Sequence, residues 1–240
     1  MMKTDILVFA AHPDDAELGC AGTLAKEIAA GKKAVVADLT QGELGTRGSG
    51  PLRLQEAAAS AAVLGLHARE NLGFKDGFFR NDPEHQLEII RIIRKYQPEI
   101  VLMNAPEDRH PDHGRAAQLC TEACFYSGLR KVVTYGSDGK EQAPWRPKNA
   151  FHYIQDRFLM PDLVVDVSDF WEIKTASILA FKSQFHDPGS EEPASYISSP
   201  EFLQFIHSRG LEFGHQVGAR YGEGFIKSKM LGVNSLFDLL

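Results

Sequence analysis

The stretch that decides the fold is Ile6-Leu7-Val8-Phe9-Ala10 running into Ala11-His12-Pro13-Asp14-Asp15-Ala16-Glu17. A short continuous apolar run closed by a proline predicts a buried strand, over residues 5–11. The segment 17–30 predicts a helix. One histidine and two carboxylates are thereby delivered to a strand-to-helix turn, the place where open α/β sheets build their ligand crevice. A second turn of the same kind, His110-Pro111-Asp112-His113, follows the apolar run Ile100-Val101-Leu102-Met103. Two such turns imply one shared metal site.

The alternation continues through the first half. Strands are predicted at 34–40, 71–74 and 100–104, and helices at 52–64, 84–96 and 114–127. Gly31 and Gly65 stand where helices end in glycine, and Pro98 stops the third helix. This order predicts right-handed βαβ units: an α/β, Rossmann-like, mostly parallel sheet with helices on both faces, in a single domain over residues 1–240. The second half is less regular. Strands are expected at 151–154 and 163–167, then a helix from about 168 to 185 with Ser168 or Asp169 as its N-cap. A polar loop follows at 186–193 and a helix at about 200–218. No Gly-x-Gly-x-x-Gly follows the first strand, which removes the usual dinucleotide reading.

Composition narrows the function. The chain has 240 residues, 43% of them hydrophobic and 24% charged, with a formal charge of −6. These values fit an ordinary globular protein. The acidic balance argues against a nucleic-acid partner, which calls for a basic face. No apolar run approaches the roughly 20 residues that span a bilayer, and Met1-Met2-Lys3-Thr4-Asp5 leads directly into the first strand, so a cytoplasmic protein without a membrane partner is expected. Three cysteines, Cys20, Cys120 and Cys124, are no disulfide framework. Cys120 and Cys124, four apart on a helix, can ligate a metal but read better as core.

Histidine and carboxylate are ligands of catalytic zinc, which takes three protein ligands and keeps one position for water. His12, Asp15 and His113 supply such a set, one that also accepts Fe2+, Mn2+ or Co2+. Asp14 is then placed as the general base. His110 is a candidate acid or oxyanion stabiliser, and Asp112 can orient a nearby imidazole. Singly, Asp14 and Asp15 can be explained as helix-capping residues, and His113 as structural; jointly they are not. The loop Gln41–Gly50 follows the second strand and leads to Arg53, while Arg109 precedes His110. Arg53 and Arg109 are expected to form a basic rim for an anionic, hydroxylated substrate. His67, His85, His152 and His207 lack a motif and read as surface or packed. His215 sits late in the last helix, where a histidine complements the dipole. Phe202, Phe205 and Phe213 read as core.

The two turns together resemble the LmbE-like, or PIG-L, zinc-dependent N-acetylglucosamine deacetylases, over essentially the whole chain. Gly42-Glu43-Leu44-Gly45-Thr46-Arg47-Gly48, Glu107-Asp108-Arg109, Gln184-Phe185 and Tyr221-Gly222-Glu223-Gly224-Phe225 are similar to the branch that makes bacillithiol. The resemblance implies hydrolysis of the acetamide of N-acetylglucosaminyl malate. It implies metal ligation by His12, Asp15 and His113, with Asp14 as base, His110 supported by Asp112, and substrate contacts from Arg53 and, beside the site, Arg109. It also implies a mobile tyrosine at Tyr196 and a homo-oligomer, a hexamer built of trimers. Rival readings are a zinc deacetylase of another acetamido sugar or chitin fragment, and a metal- or sugar-binding protein without activity.

Overall fold

The computed structural model describes residues 3–185 and 189–239. Of the loop expected at 186–193, His186, Asp187 and Pro188 lie outside them. The chain runs β1 (Ile6–Ala10), α1 (Asp15–Ala29), β2 (Ala34–Thr40), α2 (Gly50–Leu64), β3 (Ala68–Phe74), α3 (Pro83–Tyr96), β4 (Ile100–Met103), α4 (Pro111–Tyr126), β5 (Asn149–Tyr153) and β6 (Leu163–Asp166). A 3-10 turn at Ser168–Phe170 leads into α5 (Trp171–Leu179), followed by α6 (Pro200–Gln216), β7 (Gly222–Lys227) and a last 3-10 turn at Leu236–Leu239.

One seven-stranded sheet results, in the order β3-β2-β1-β4-β5-β7-β6. The pairings β2·β3, β1·β2, β1·β4 and β4·β5 are parallel. β7 runs antiparallel between β5 and β6. The chain builds outward from β1 through β2 to β3, then crosses back to place β4 on the other side of β1. That reversal is the topological switch point, and the crevice opens at the carboxyl ends of β1 and β4.

β1 is buried along its whole length because it has apolar partners on both faces. Leu7 and Phe9 pack with Val35, Leu39, Ile89, Ile93 and Leu119, under α3 and α4. Ile6, Val8 and Ala10 pack with Cys20, Leu24, Val36, Leu102 and Tyr153, under α1. The period of two is that of a strand. A third cluster joins Leu18, Trp171, Phe181, Phe185, Phe202, Ile206 and Tyr221, and seats α5 and α6. Cys120 and Cys124 are buried free thiols of the first cluster, and burial pushes the Cys124 thiol up to about 12. Among the described residues no helix is long and apolar enough to cross a membrane.

Three expectations are corrected. The segment at Tyr221–Phe225, read only as a motif, carries the strand β7. Its glycines allow close approach: a Cβ at Gly222 would lie 2.5 Å from Val164 Cγ1, and one at Gly224 2.8 Å from the Phe213 ring. The helix expected to reach residue 185 ends at Leu179. Beyond it, turns bonded Phe181 N–H to Ile178 O and Gln184 N–H to Phe181 O swing Phe181 and Phe185 into the core. Ser168 is not an N-cap. Its hydroxyl donates to Asp166 Oδ1 at 2.6 Å and accepts the backbone N–H groups of Arg220 and Tyr221, tying this corner to the start of β7. Asp169, the other candidate, is exposed and makes no capping bond.

Candidate active site

β1 ends at Ala10, and the following turn places His12, Asp14 and Asp15 at the switch point. The turn is held from three sides. Asn104, just past β4, accepts the Ala11 N–H at 2.9 Å and donates to Asp15 Oδ2 at 3.0 Å. Gln155, just past β5, donates to Asp15 Oδ1 at 2.6 Å. The His12 N–H donates to Asp15 Oδ2 at 2.9 Å. Asp14 has φ 114°, a left-handed conformation that a side chain disfavours, and strain of this kind concentrates at functional sites. Asp14 stands at the N-cap position of α1 but makes no side-chain capping bond, so capping does not explain it. Its carboxylate instead accepts from Arg53 Nη2 at 2.7 Å.

The second turn supplies His113 in the first turn of α4, which begins three residues earlier than expected. His113 Nδ1 is 2.7 Å from Asp108 Oδ2, and Nε2 is 3.3 Å from Asp15 Oδ1. His12 Nε2 lies 3.2 Å from Asp76 Oδ1 and 3.4 Å from Asp112 Oδ2, and Nδ1 lies 3.5 Å from Asp15 Oδ2. Carboxylate partners fix imidazole tautomers. With the protons of the neutral rings on His12 Nε2 and His113 Nδ1, the lone pairs on His12 Nδ1 and His113 Nε2 both turn toward Asp15. The two rings and Asp15 therefore face one another, as candidate metal ligands would.

The electrostatics agree. Burial favours neutral rings, yet hydrogen bonds that the ring donates to Asp112, Asp15 and Asp76 hold His12 well above its usual pKa. His113 is likewise raised to about 9, its burial outweighed by Asp15 and Asp108. The carboxylates around the two rings favour positive charge there. Ligand atoms of His12, His110 and His113 lie within 4.8 Å of one another, as do those of His12, Asp76 and Asp112. Asp15 meets His12 and His113 through different oxygens.

Asp14 is raised to about 7, chiefly by burial and by its neighbour Asp15, with Arg53 pulling the other way. A carboxylate poised near neutrality suits proton transfer in both directions. His110 is held below its usual value by burial and by His12 and His113. It caps α4, its Nδ1 accepting the Asp112 N–H at 3.3 Å, which places the proton of the neutral ring on Nε2. The Asp112 carboxylate does not support His110. It faces His12 and accepts from Gly77 N–H at 2.8 Å and Arg115 Nη1 at 2.5 Å.

These groups line a cavity of about 330 Å³ together with Arg47, Arg53, Arg109, Gln184 and Tyr196. Arg53 is buried and also donates to the Pro13 carbonyl, so it is committed to the Asp14 turn rather than to an open rim. Arg109 lies at the mouth. Its guanidinium covers the Tyr196 ring at 4.3 Å, and its Nε is 3.3 Å from Asp156. A larger groove of about 520 Å³ lies at the amino ends of the strands, walled by Ile6, Ile100, Phe151, Leu163 and Val165. Of the two, only the smaller cavity holds convergent acid–base and ligand groups.

Asp76, Asn104, Asp108 and Gln155 escaped the sequence reading, as did Arg47. Each lies just beyond the carboxyl end of β2, β3, β4 or β5, and that shared position was the available signal. His152 is packed, with Nδ1 2.8 Å from Asn104 O. His85 sits at 2.7 Å from Asp82, His207 packs on Trp171 and Tyr221, and His67 and His215 are exposed. Phe202 and Phe213 are core, and Phe205 is partly buried.

The fold and site are those of an α/β protein with a His/Asp cluster that could hold a metal ion and a buried carboxylate, Asp14, at its switch point. Residues 7–124, which carry both turns, match the family model described as PIG-L: GlcNAc-PI de-N-acetylase. The diacetylchitobiose deacetylase of Thermococcus kodakarensis is 33% identical over 91% of this chain and 81% of its own length. The probable N-acetyl-alpha-D-glucosaminyl L-malate deacetylase 2 of Bacillus subtilis is 27% identical over 76% of this chain and 84% of its own. The crystal structure of the conserved protein TT1542 from Thermus thermophilus superposes with a TM-score of 0.84 and 34% identity, covering 96% of this chain and 98% of that one. The chain belongs to the PIG-L family. It is an enzyme of the amide-hydrolysing, deacetylase class, and that family's chemistry is metal-dependent deacetylation of N-acetylglucosamine-containing substrates.

Proposed function

We propose that this protein removes the acetyl group from N-acetylglucosaminyl malate, with zinc held by His12, Asp15 and His113. The observation that carries the hydrolase reading is the convergence of Asp14, His110 and that ligand set on one cavity. Zinc bound there supplies Lewis acidity and makes a water acidic enough to lose a proton near neutrality. Asp14 takes that proton as the water oxygen adds to the acetamide carbonyl carbon. Arg53 fixes the carboxylate that receives it. His110 Nε2–H donates to the oxygen on which negative charge develops. The C–N bond then breaks, Asp14 returns its proton to the leaving nitrogen, and acetate and a free amine result. A pure binding protein has no use for a buried, strained carboxylate at this position.

The malate reading is supported by the arginines around the cavity and by the Bacillus subtilis relative. A second reading, a chitin disaccharide as substrate, is favoured by the Thermococcus kodakarensis relative. Release of free amine from N-acetylglucosaminyl malate and from diacetylchitobiose, with chelated and zinc-restored enzyme, separates them. Metal-dependent release from the malate conjugate alone supports the first. Release from the disaccharide alone transfers the site to the second, and release from neither removes both. We place the enzyme in the cytoplasm, consistent with three unpaired cysteines, and as one domain. We also propose a homo-oligomer, a hexamer by family resemblance; light scattering at the monomer mass of 26.6 kDa would remove that assignment.

A further inference from the structure

We propose that Arg47 is the anchor for a carboxylate on the aglycone of the substrate, and that Glu192 occupies its place until that group arrives. The inference rests on the deacetylase reading of the cavity and assigns the part of it away from the His/Asp cluster.

Three arginines line the cavity, and two are engaged. Arg53 holds the Asp14 carboxylate at 2.7 Å. Arg109 is largely exposed, stacked on Tyr196 and paired with Asp156. Arg47 differs from both. It is only 6% exposed, and its backbone is pinned where Gln184 Nε2 donates to the Arg47 carbonyl at 2.8 Å. The next residue, Gly48, has φ 74°, and a Cβ there would meet Ser183 Oγ at 2.7 Å, so the loop packs closely on Ser183. Yet the guanidinium is poorly matched. Nη2 donates to Ser190 Oγ at 2.6 Å, while Nε is buried without a hydrogen-bond partner among the described residues. Among the described residues one carboxylate pairs with it, Glu192, whose Oε2 stands 3.8 Å from Nε, beyond hydrogen-bond reach.

A buried guanidinium with five donors calls for a bidentate carboxylate, and leaving a buried charge under-bonded is costly. Glu192 is badly placed to meet that need. Its side chain is 44% exposed, and the same oxygen already accepts the Gly48 N–H at 2.9 Å. It belongs to the segment that continues through Ser195, Tyr196 and Ile197 along the cavity wall. A ligand carboxylate entering between that wall and Arg47 gains the unfilled donor edge and releases Glu192 to water.

Opposite effects of two substitutions test this. The probe is L-malate, titrated calorimetrically, with KM measured beside it for N-acetylglucosaminyl malate and for uncharged methyl N-acetylglucosaminide. Arg47→Gln is expected to weaken malate binding at least about tenfold, the scale of a charged hydrogen bond, and to raise KM for the anionic conjugate at least about tenfold more than for the methyl glycoside. Arg47→Lys, which restores charge but not the fork, falls between. Glu192→Gln, which removes the competitor, is expected to tighten malate. Equal shifts in both KM values, weaker malate binding by Glu192→Gln, or no malate binding to the wild type would each overturn the proposal. Arg47-dependent malate binding without turnover of either sugar would remove the deacetylase reading and leave the anchor standing.

Discussion

Replacing Arg69 by alanine should destabilise this protein more than most single changes, because two buried carboxylates depend on it. Arg69 reaches from β3 across the sheet edge. Its Nε and Nη2 donate to the Asp38 carboxylate at 2.7 and 2.9 Å, and its Nη1 donates to Glu17 Oε1 at 2.5 Å. Glu17 is fully buried and Asp38 is 1% exposed. Removing one partner of a buried pair costs about 3–5 kcal/mol, because the charge left behind is uncompensated. In a chain of this length each kcal/mol lowers Tm by about 2–4 °C, so a fall of about 6–20 °C is expected by circular dichroism. The loss has a pH signature. Burial holds the Asp38 carboxyl above its usual range, with Arg69 pulling it back. Without Arg69 the folded-state pKa rises further, while the unfolded value stays near 3.9. The folded variant then binds a proton that the unfolded chain has shed, so it gains stability as pH falls through the folded pKa and loses it as pH rises. The deficit should be larger at pH 8 than at pH 5.5. Adding Glu17→Gln and Asp38→Asn to Arg69→Met should restore much of it, since uncharged replacements leave no stranded ion. A deficit below about 1 kcal/mol, or one independent of pH, would refute the reasoning.

Asp14→Asn should lower kcat by about 10²–10⁴ while metal content, measured by mass spectrometry, stays at the wild-type level; full turnover would remove Asp14 as the base. Asp108→Asn should weaken metal affinity about 10–100-fold in a chelator competition, through the lost partner of His113 Nδ1, and unchanged affinity would discount that hydrogen bond. Zinc binding to metal-free enzyme at pH 7.5 should release protons, because His113, near 9, and His12 must shed theirs to act as ligands. The release should fall as pH rises through 9, and a binding enthalpy independent of the buffer would contradict it. His152, held below its usual value chiefly by burial, should titrate below about 6.5 by NMR, so its contribution to stability is present above that pH and lost as pH falls through the folded pKa; titration above it would place the ring in a wetter site.

Much of the site was legible because its chemistry is local in sequence. His12, Asp14 and Asp15 share one turn, and His110, Asp112 and His113 share another. Each turn follows a strand that announces itself by an unbroken apolar run. What sequence did not convey was which carboxylate meets which ring. Asp112 lies two residues from His110 but turns to His12, because His110 is spent capping α4 through its own Nδ1. Asp76 and Gln155 reach the cluster from turns that precede and follow it by tens of residues, and no local pattern marks them. The same limit explains β7. Its glycines look like a loop when read alone, and only the close approach of Phe213 and Val164 makes them requirements of a strand.

The site is a costly assembly, and the fold answers at one place. Asp14 is strained, and Asp15, Asp76, Asp108 and Asp112 crowd two histidines. Behind them, three buried cations grip the start of α1 and its approach. Arg53 holds Asp14 and the Pro13 carbonyl. Arg69 holds Glu17. Lys174, from α5, donates to the carbonyls of Glu17 and Leu18 and to Glu223, whose carboxylate in turn accepts the N–H groups of Gly22 and Thr23. The Lys174 bonds to α1 carbonyls tie the first turns of that helix to α5. This ties α5 and β7, remote in sequence from the two His/Asp turns, to the helix end from which Asp14 and Asp15 project.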